Sequence, residues 1–167
     1  MLRQAIPVFF AVLFTAGAAL AVPATSIGVF KQWSAWSHKD GSATRCFTYS
    51  EPVSKQPDSL NHGDVLFFLR AMRNGAARTE ASFQTGYNFA QGSLVNITIG
   101  SETFRMTTDG QNAWLRRVER EPELLAAMQS GSSMSVGATS ARGNATSYTF
   151  SLEGVSAATT VILTRCR

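Results

Sequence analysis

Two cysteines and two histidines in 167 residues leave little from which to build a metal centre or an acid–base site. A zinc site needs three or four ligands at suitable spacing. The chain has no His-x-x-His and no Cys-x-x-Cys, so His38, His62, Asp40 and Asp64 could meet only through folding. No Gly-x-Gly-x-x-Gly or phosphate loop is present, and no serine sits in a Gly-x-Ser-x-Gly elbow. A hydrolytic triad would have to recruit His38 or His62, each in a turn-like stretch two residues from an aspartate. Any two of the 11 acidic residues could pair for glycoside chemistry, but nothing singles out a pair. The residues thus offer no catalytic group, no metal ligand set and no cofactor motif.

A concentrated basic stripe is also missing. The formal charge is +4, but the basic residues are scattered, and Arg116-Arg117 is answered by Glu119 and Glu121. Nucleic-acid proteins gather charge on one face with interleaved aromatics. This pattern excludes a nucleic-acid partner and suits a solvated basic surface near anionic envelope components, peripheral membrane association included. Low-complexity tracts are absent and apolar content is ordinary, so a folded domain is expected.

Long hydrophobic runs are lacking except for one, at the start. Arg3 precedes the apolar stretch Ile6–Ala18, and Ala19-Leu20-Ala21 ends it with small residues. That order of charge, apolar run and small residues is the secretory signal pattern, with cleavage expected between Ala21 and Val22. The alternative is a retained anchor, since Ala5 to Val22 is long enough to span a bilayer. Pro7, the small-residue run and the lack of a following Lys/Arg cluster favour cleavage. The remaining Val22–Arg167 has the length of one domain and would be periplasmic or secreted.

Export makes a Cys46–Cys166 disulfide chemically permissible, and only one pairing exists. The alternative is a pair of unpaired buried thiols. A thiol at the penultimate residue is hard to bury unless something holds the terminus down.

Alternating apolar residues read as strands through most of the chain. Val29–Trp36 and Thr44–Ser50 should form a hairpin about the His38–Ser42 turn cluster. Glu51–Asp64, with Pro52 and Pro57, reads as the longest loop. Val65–Leu69 is a continuous apolar run suited to a strand buried on both faces. Asn74-Gly75 is a turn, and Arg78–Thr85 alternates weakly. Gly86–Gly92 is a glycine-bounded loop. Leu94–Ile99 and the Phe104/Met106 strand flank a Gly100-Ser101 turn. After the Asp109-Gly110 turn, a short strand surrounds Trp114. Pro122, flanked by Glu121 and Glu123, should start a helix that Gly131 caps. Met134–Ala138 and Tyr148–Leu152 form a hairpin. Val155–Arg165 is ambiguous: Val155, Ala158 and Ile162 fit a helical face, while Thr159-Thr160-Val161-Ile162 favours a strand. The sum is a mainly β, antiparallel sandwich or barrel-like single domain with one or two short helices.

Three tryptophans, Trp33, Trp36 and Trp114, could form a carbohydrate or peptide platform, or pack in the core. The Asn96 and Asn144 glycosylation triplets are of the kind that occurs by chance.

Several segments together carry a resemblance. They are Trp33-Ser34-Ala35-Trp36, Arg45-Cys46-Phe47, Gly86-Tyr87-Asn88-Phe89, Val95–Gly100, Gly137–Gly143, Tyr148–Ala158 and the terminal Cys166. In this order and spacing the chain resembles the invasion-associated locus B family of exported bacterial proteins, from about Phe30 to Cys166. The resemblance implies a small exported β-rich protein with no established catalytic residues, a short helix at Val155–Leu163, and by its name a link to host-cell entry. The expected function is binding of a protein or envelope component, with Trp33, Trp36, His62 and Trp114 as candidate contacts. The competing expectation is a hydrolase using His62 and Asp64 in the Glu51–Asp64 loop.

Overall fold

A computed structural model of the protein describes residues 23–73 and 77–166. The leading segment Met1–Ala21, the Ala21–Val22 cleavage point and the Asn74-Gly75 turn lie outside the described residues. Eleven strands follow in chain order: β1 (Thr25–Phe30), β2 (Trp33–Asp40), β3 (Ala43–Ser50), β4 (Ser54–Gln56), β5 (Leu66–Ala71), β6 (Thr79–Gln84), β7 (Leu94–Ile99), β8 (Glu102–Asp109), β9 (Asn112–Leu115), β10 (Ser133–Thr139) and β11 (Ala145–Ser151). A 3-10 turn, Val118–Arg120, leads into helix α1 (Glu121–Ser130), and helix α2 (Val155–Arg165) is followed by Cys166, the last described residue.

All strands belong to one antiparallel sheet, ordered β1-β2-β3-β5-β6-β9-β8-β7-β10-β11-β4. The sheet curls so that strands far apart in this order face each other across the core. Phe67 of β5 lies 5.9 Å from Phe150 of β11, and Phe83 of β6 lies 5.6 Å from Tyr148. The indole N–H of Trp33 donates to the Ser151 carbonyl at 3.1 Å, which ties the start of β2 to the end of β11. The period-two reading of the inward faces holds. Val95, Ile97, Ile99, Phe104, Met106, Met134, Val136, Tyr148 and Phe150 are all buried.

The single strand expected over Val29–Trp36 is instead two. Phe30 pairs with Trp33 across a tight turn at Lys31-Gln32. Lys31 takes φ +55°, a left-handed conformation that no glycine or asparagine announces. The first strand therefore starts at Thr25, earlier than the alternation suggests. The Glu51–Asp64 segment is likewise not all loop, since Ser54–Gln56 pairs with β11 as an edge strand. The β5 run is not buried on both faces. Phe67 and Leu69 point into the core, while Phe68 is half-buried on the outer face against Tyr49 and Phe47.

Val155–Arg165 is a helix. Its threonines donate their hydroxyls to carbonyls one turn back, Thr159 to Val155, Thr160 to Ser156 and Thr164 to Thr160, each at 2.8 Å. Buried Ala158 and Ile162 pack the helix against the curled sheet. The Cys46–Cys166 disulfide fastens the residue after it to β3, with the Cα atoms 5.7 Å apart. Packing and the crosslink thus override the β-branched preference.

Helix α1 does begin with Glu121-Pro122, but Glu121 does not face the solvent or the arginines before it. The residue is 2% exposed, and its carboxylate accepts the Ala81 N–H of β6 at 3.0 and 3.1 Å. Gly131 caps the helix with φ −85°, not in the left-handed form. Glycine is required there because a Cβ would lie 2.7 Å from the Ile99 Cγ2. Burial pushes the Glu121 carboxyl from 4.5 up to about 7, opposed by the Ala81 N–H and assisted by the nearby Glu80 charge. The folded chain therefore keeps a proton that the unfolded chain releases. This contribution to stability is complete below about pH 4.5 and is lost as pH rises through 7, on the order of 3 kcal/mol. Glu121→Gln, which keeps an acceptor for Ala81, should be more stable than the parent at pH 8 and flatten the profile between pH 5 and 8. Denaturant melts at the two pH values check this, and parallel profiles would refute it.

Candidate functional site

The Glu51–Asp64 loop folds back so that His62 is buried at 6% exposure. Its Nε2 lies 2.9 Å from the Pro57 carbonyl and its Nδ1 lies 2.9 Å from the Tyr148 hydroxyl. A carbonyl only accepts, so Nε2 carries the hydrogen in the neutral ring, and Nδ1 accepts from Tyr148. The hydroxyls of Tyr148 and Tyr87 are 2.8 Å apart, and Tyr87 reaches Thr146 Oγ1 at 2.6 Å. The hydroxyls of Thr146, Tyr87 and Tyr148 thus form one network that runs on through His62 to the Pro57 carbonyl, and Thr146 also reaches the Ala138 carbonyl at 3.3 Å. The His62 and Tyr148 rings also meet edge-on, 5.3 Å between centroids. Burial, and then the hydrogen bond shared with Tyr87, raise the Tyr148 hydroxyl above its ordinary range, so it stays neutral.

Two glycines lock this loop to the one that carries Tyr87. A Cβ on Gly86 would lie 2.7 Å from Gly63 Cα and 2.8 Å from the His62 carbonyl oxygen. Gly63 itself has φ +61°. The backbones of residues 62–64 and 86 therefore touch, which only glycine permits.

Above the network opens a cleft of about 440 Å³. Asn61, Asn88, Ser140, Arg142 and Asn144 line it, from three separate loops. Amides and hydroxyls offer paired donors and acceptors, and Arg142 adds one cation. Such a lining suits a polar ligand with hydroxyl, amide or carboxylate groups. Acid–base chemistry is poorly served. Both nitrogens of His62 are engaged, and Asp64 is exposed on the loop surface.

The other expected residues do not join this cleft. His38 lies within β2 instead of a turn, its ring 6.0 Å from Phe47, and Asp40 pairs with Arg45 at 3.1 Å. Trp33 is wholly inside. Trp36 is half-buried on β2, and Trp114 is 40% exposed on β9, four positions away in the sheet. The three tryptophans thus form no common platform. Among the described residues, no group of three His, Cys, Asp or Glu is placed to hold a metal ion. Among them, too, no helix is long and apolar enough to cross a membrane. Sequence reasoning missed Tyr87, Asn88, Arg142, Asn144 and Tyr148 as site residues. The glycines bounding Gly86–Gly92 were the available signal.

Comparisons with known proteins place these features in a lineage. No curated protein matches the chain. The described domain is similar to the crystal structure of invasion associated protein b from Bartonella henselae, with a TM-score of 0.60 and 13% sequence identity. The match covers 84% of this chain and 97% of that one, and at this identity it speaks for the fold alone. The family model "Invasion associated locus B (IalB) protein" matches residues 33–162, a span that holds the His62 network, the cleft and both helices up to Ile162. With that span matched and the fold shared, the chain belongs to the invasion-associated locus B family.

Proposed function

We propose that this is an exported protein of the bacterial envelope, periplasmic or secreted, that acts by binding a protein or envelope component in the polar cleft and is not an enzyme. The observation that carries the reading is the cleft itself, a concave polar surface above a network whose hydrogen bonds are internally satisfied. Such a network holds the shape of the cleft floor. The Cys46–Cys166 bond supports an oxidising compartment, as does the signal-like segment Met1–Ala21. A link to host-cell invasion rests on the family name alone.

Titration of isotope-labelled protein with soluble envelope glycans and peptides tests this. Amide shifts should cluster at Asn61, Asn88 and Asn144. They should fall at least tenfold in apparent affinity for Arg142→Ala, with the melting temperature unchanged. Shifts spread evenly over the surface would contradict the reading. So would turnover of such a compound that His62→Gln abolishes.

A further inference from the structure

At the far side of the sheet, where β9 leads into the 3-10 turn, four arginines surround a cleft of about 360 Å³: Arg105, Arg116, Arg117 and Arg120. The carboxylates expected to answer them are elsewhere. Glu121 is turned inward onto Ala81. Arg120 alone is held. It donates to Glu123 at 2.7 Å and to the Thr103 carbonyl at 3.0 Å, stands 3.9 Å from Glu102, and stacks 4.4 Å over the Phe104 ring. Glu102 and Glu123 are therefore taken up by Arg120. Glu119 is exposed on the turn. Among the described residues, the guanidiniums of Arg105, Arg116 and Arg117 have no hydrogen-bond or ion-pair partner, and all three residues are exposed.

Their placement is not that of scattered surface charge. The Arg116 N–H donates to the Arg105 carbonyl at 2.9 Å, which continues the β8–β9 ladder and sets the two residues across from each other. Like charges directly opposite across strands are unfavourable. Here the pair persists with Arg117 beside it and no carboxylate between. Two apolar side chains flank the cluster. Trp114, two residues before Arg116 on β9, is 40% exposed, and Val118 is 64% exposed. Both rank among the few large hydrophobics exposed in the described chain.

We propose that this face docks on an anionic lipid surface, with Arg105, Arg116 and Arg117 binding lipid phosphates and Trp114 and Val118 seated at the headgroup level. Charge complementarity selects the occupant: guanidiniums fork onto phosphate oxygens, and an indole beside them prefers the boundary between apolar and wet regions. A soluble acidic protein would satisfy the arginines but would leave no reason for two exposed apolar groups among them. The proposal goes beyond the binding reading, because it uses none of the residues of the His62 cleft.

The test is co-flotation of the protein, purified as its cells process it and with its disulfide intact, with phosphatidylcholine vesicles with and without phosphatidylglycerol. Binding should require the anionic lipid and weaken with salt. Each cation near such a surface contributes roughly fivefold, so Arg105→Gln/Arg116→Gln/Arg117→Gln should lose roughly a hundredfold in partitioning. Trp114→Ala should lose several-fold, together with the blue shift of tryptophan fluorescence on binding. The control Lys39→Gln/Arg45→Gln, on the β2–β3 hairpin, should bind as the parent does. Circular-dichroism melts confirm that each variant is folded. Equal partitioning of the triple variant and the parent overturns the proposal. So does tight binding of inorganic phosphate with no vesicle binding, which would make the cleft a site for a free anion. Failure here leaves the His62 cleft untouched, because that site is read by its own titration.

Discussion

Replacing both cysteines, Cys46→Ala/Cys166→Ala, lowers the unfolding free energy by about 4–5 kcal/mol. The two cysteines are 120 positions apart, and closing a loop of that length removes this much entropy from the unfolded chain. A domain of this kind has only about 5–15 kcal/mol in total, so the loss takes a third or more of it. At about 2–4 °C per kcal/mol, the melting temperature should fall by roughly 10–20 °C. The effect is local as well as global. Cys46, Cys166, Ala35, Ala71 and Ile162 form a small cluster separate from the main core. With the crosslink gone, the C-terminal end of the last helix is held by that cluster alone, while Val155 and Ala158 at its start stay anchored in the main core. Amide exchange in Ile162–Arg165 should then quicken before that of β7 and β8. A melt in strong reductant that overlays the oxidised one would contradict this.

Gly86→Ala should destabilise the protein by about 3 kcal/mol or more, a large effect for one methyl group. The atoms it meets belong to the backbone: Gly63 Cα at 2.7 Å, the His62 carbonyl oxygen at 2.8 Å and the Asp64 nitrogen at 3.0 Å. None can swing aside as a side-chain end would, so the Asn61–Asp64 segment must move. That movement pulls His62 off Tyr148 and opens the floor of the cleft, so ligand-induced shifts at Asn88 should vanish with the stability. The control is Gly137→Ala in β10, where a Cβ meets nothing within 4 Å and φ is not positive. It should be neutral or stabilising by up to about 1 kcal/mol. Equal effects at the two positions would mean that the loops are not in contact.

The antiparallel β plan was legible because alternation survives wherever one face of a strand is buried, as in Val95-Ile97-Ile99 and Tyr148-Phe150-Leu152. Three elements were not, each for a definite reason. The Lys31-Gln32 turn has no turn chemistry, and both of its flanking strands alternate, so they read as one. The Ser54–Gln56 edge strand is three polar residues whose partner, β11, comes nearly a hundred positions later. Helix α2 stayed ambiguous on its residues, because its β-branched side chains are turned helical by tertiary packing and the crosslink to Cys46, and it was the family resemblance that pointed to the helix found. The candidate site was half legible. His62 stood out as one of two histidines, but Tyr148 is 86 positions away and read as an ordinary inward strand residue. The cleft needs three loops at once, a property of closure of the sheet and not of any segment.

The His62 cleft is expected to meet its partner in the envelope. Photo-crosslinking in living cells tests it most directly, with the reactive side chain placed in turn at Asn88, at Arg142 and, as control, at Ser42 in the β2–β3 turn. One discrete adduct should be shared by Asn88 and Arg142, absent at Ser42, and recovered from the periplasm or the medium. A sole, uncrosslinked protein at all three positions, or the same adducts at Ser42 as at the cleft, would contradict it.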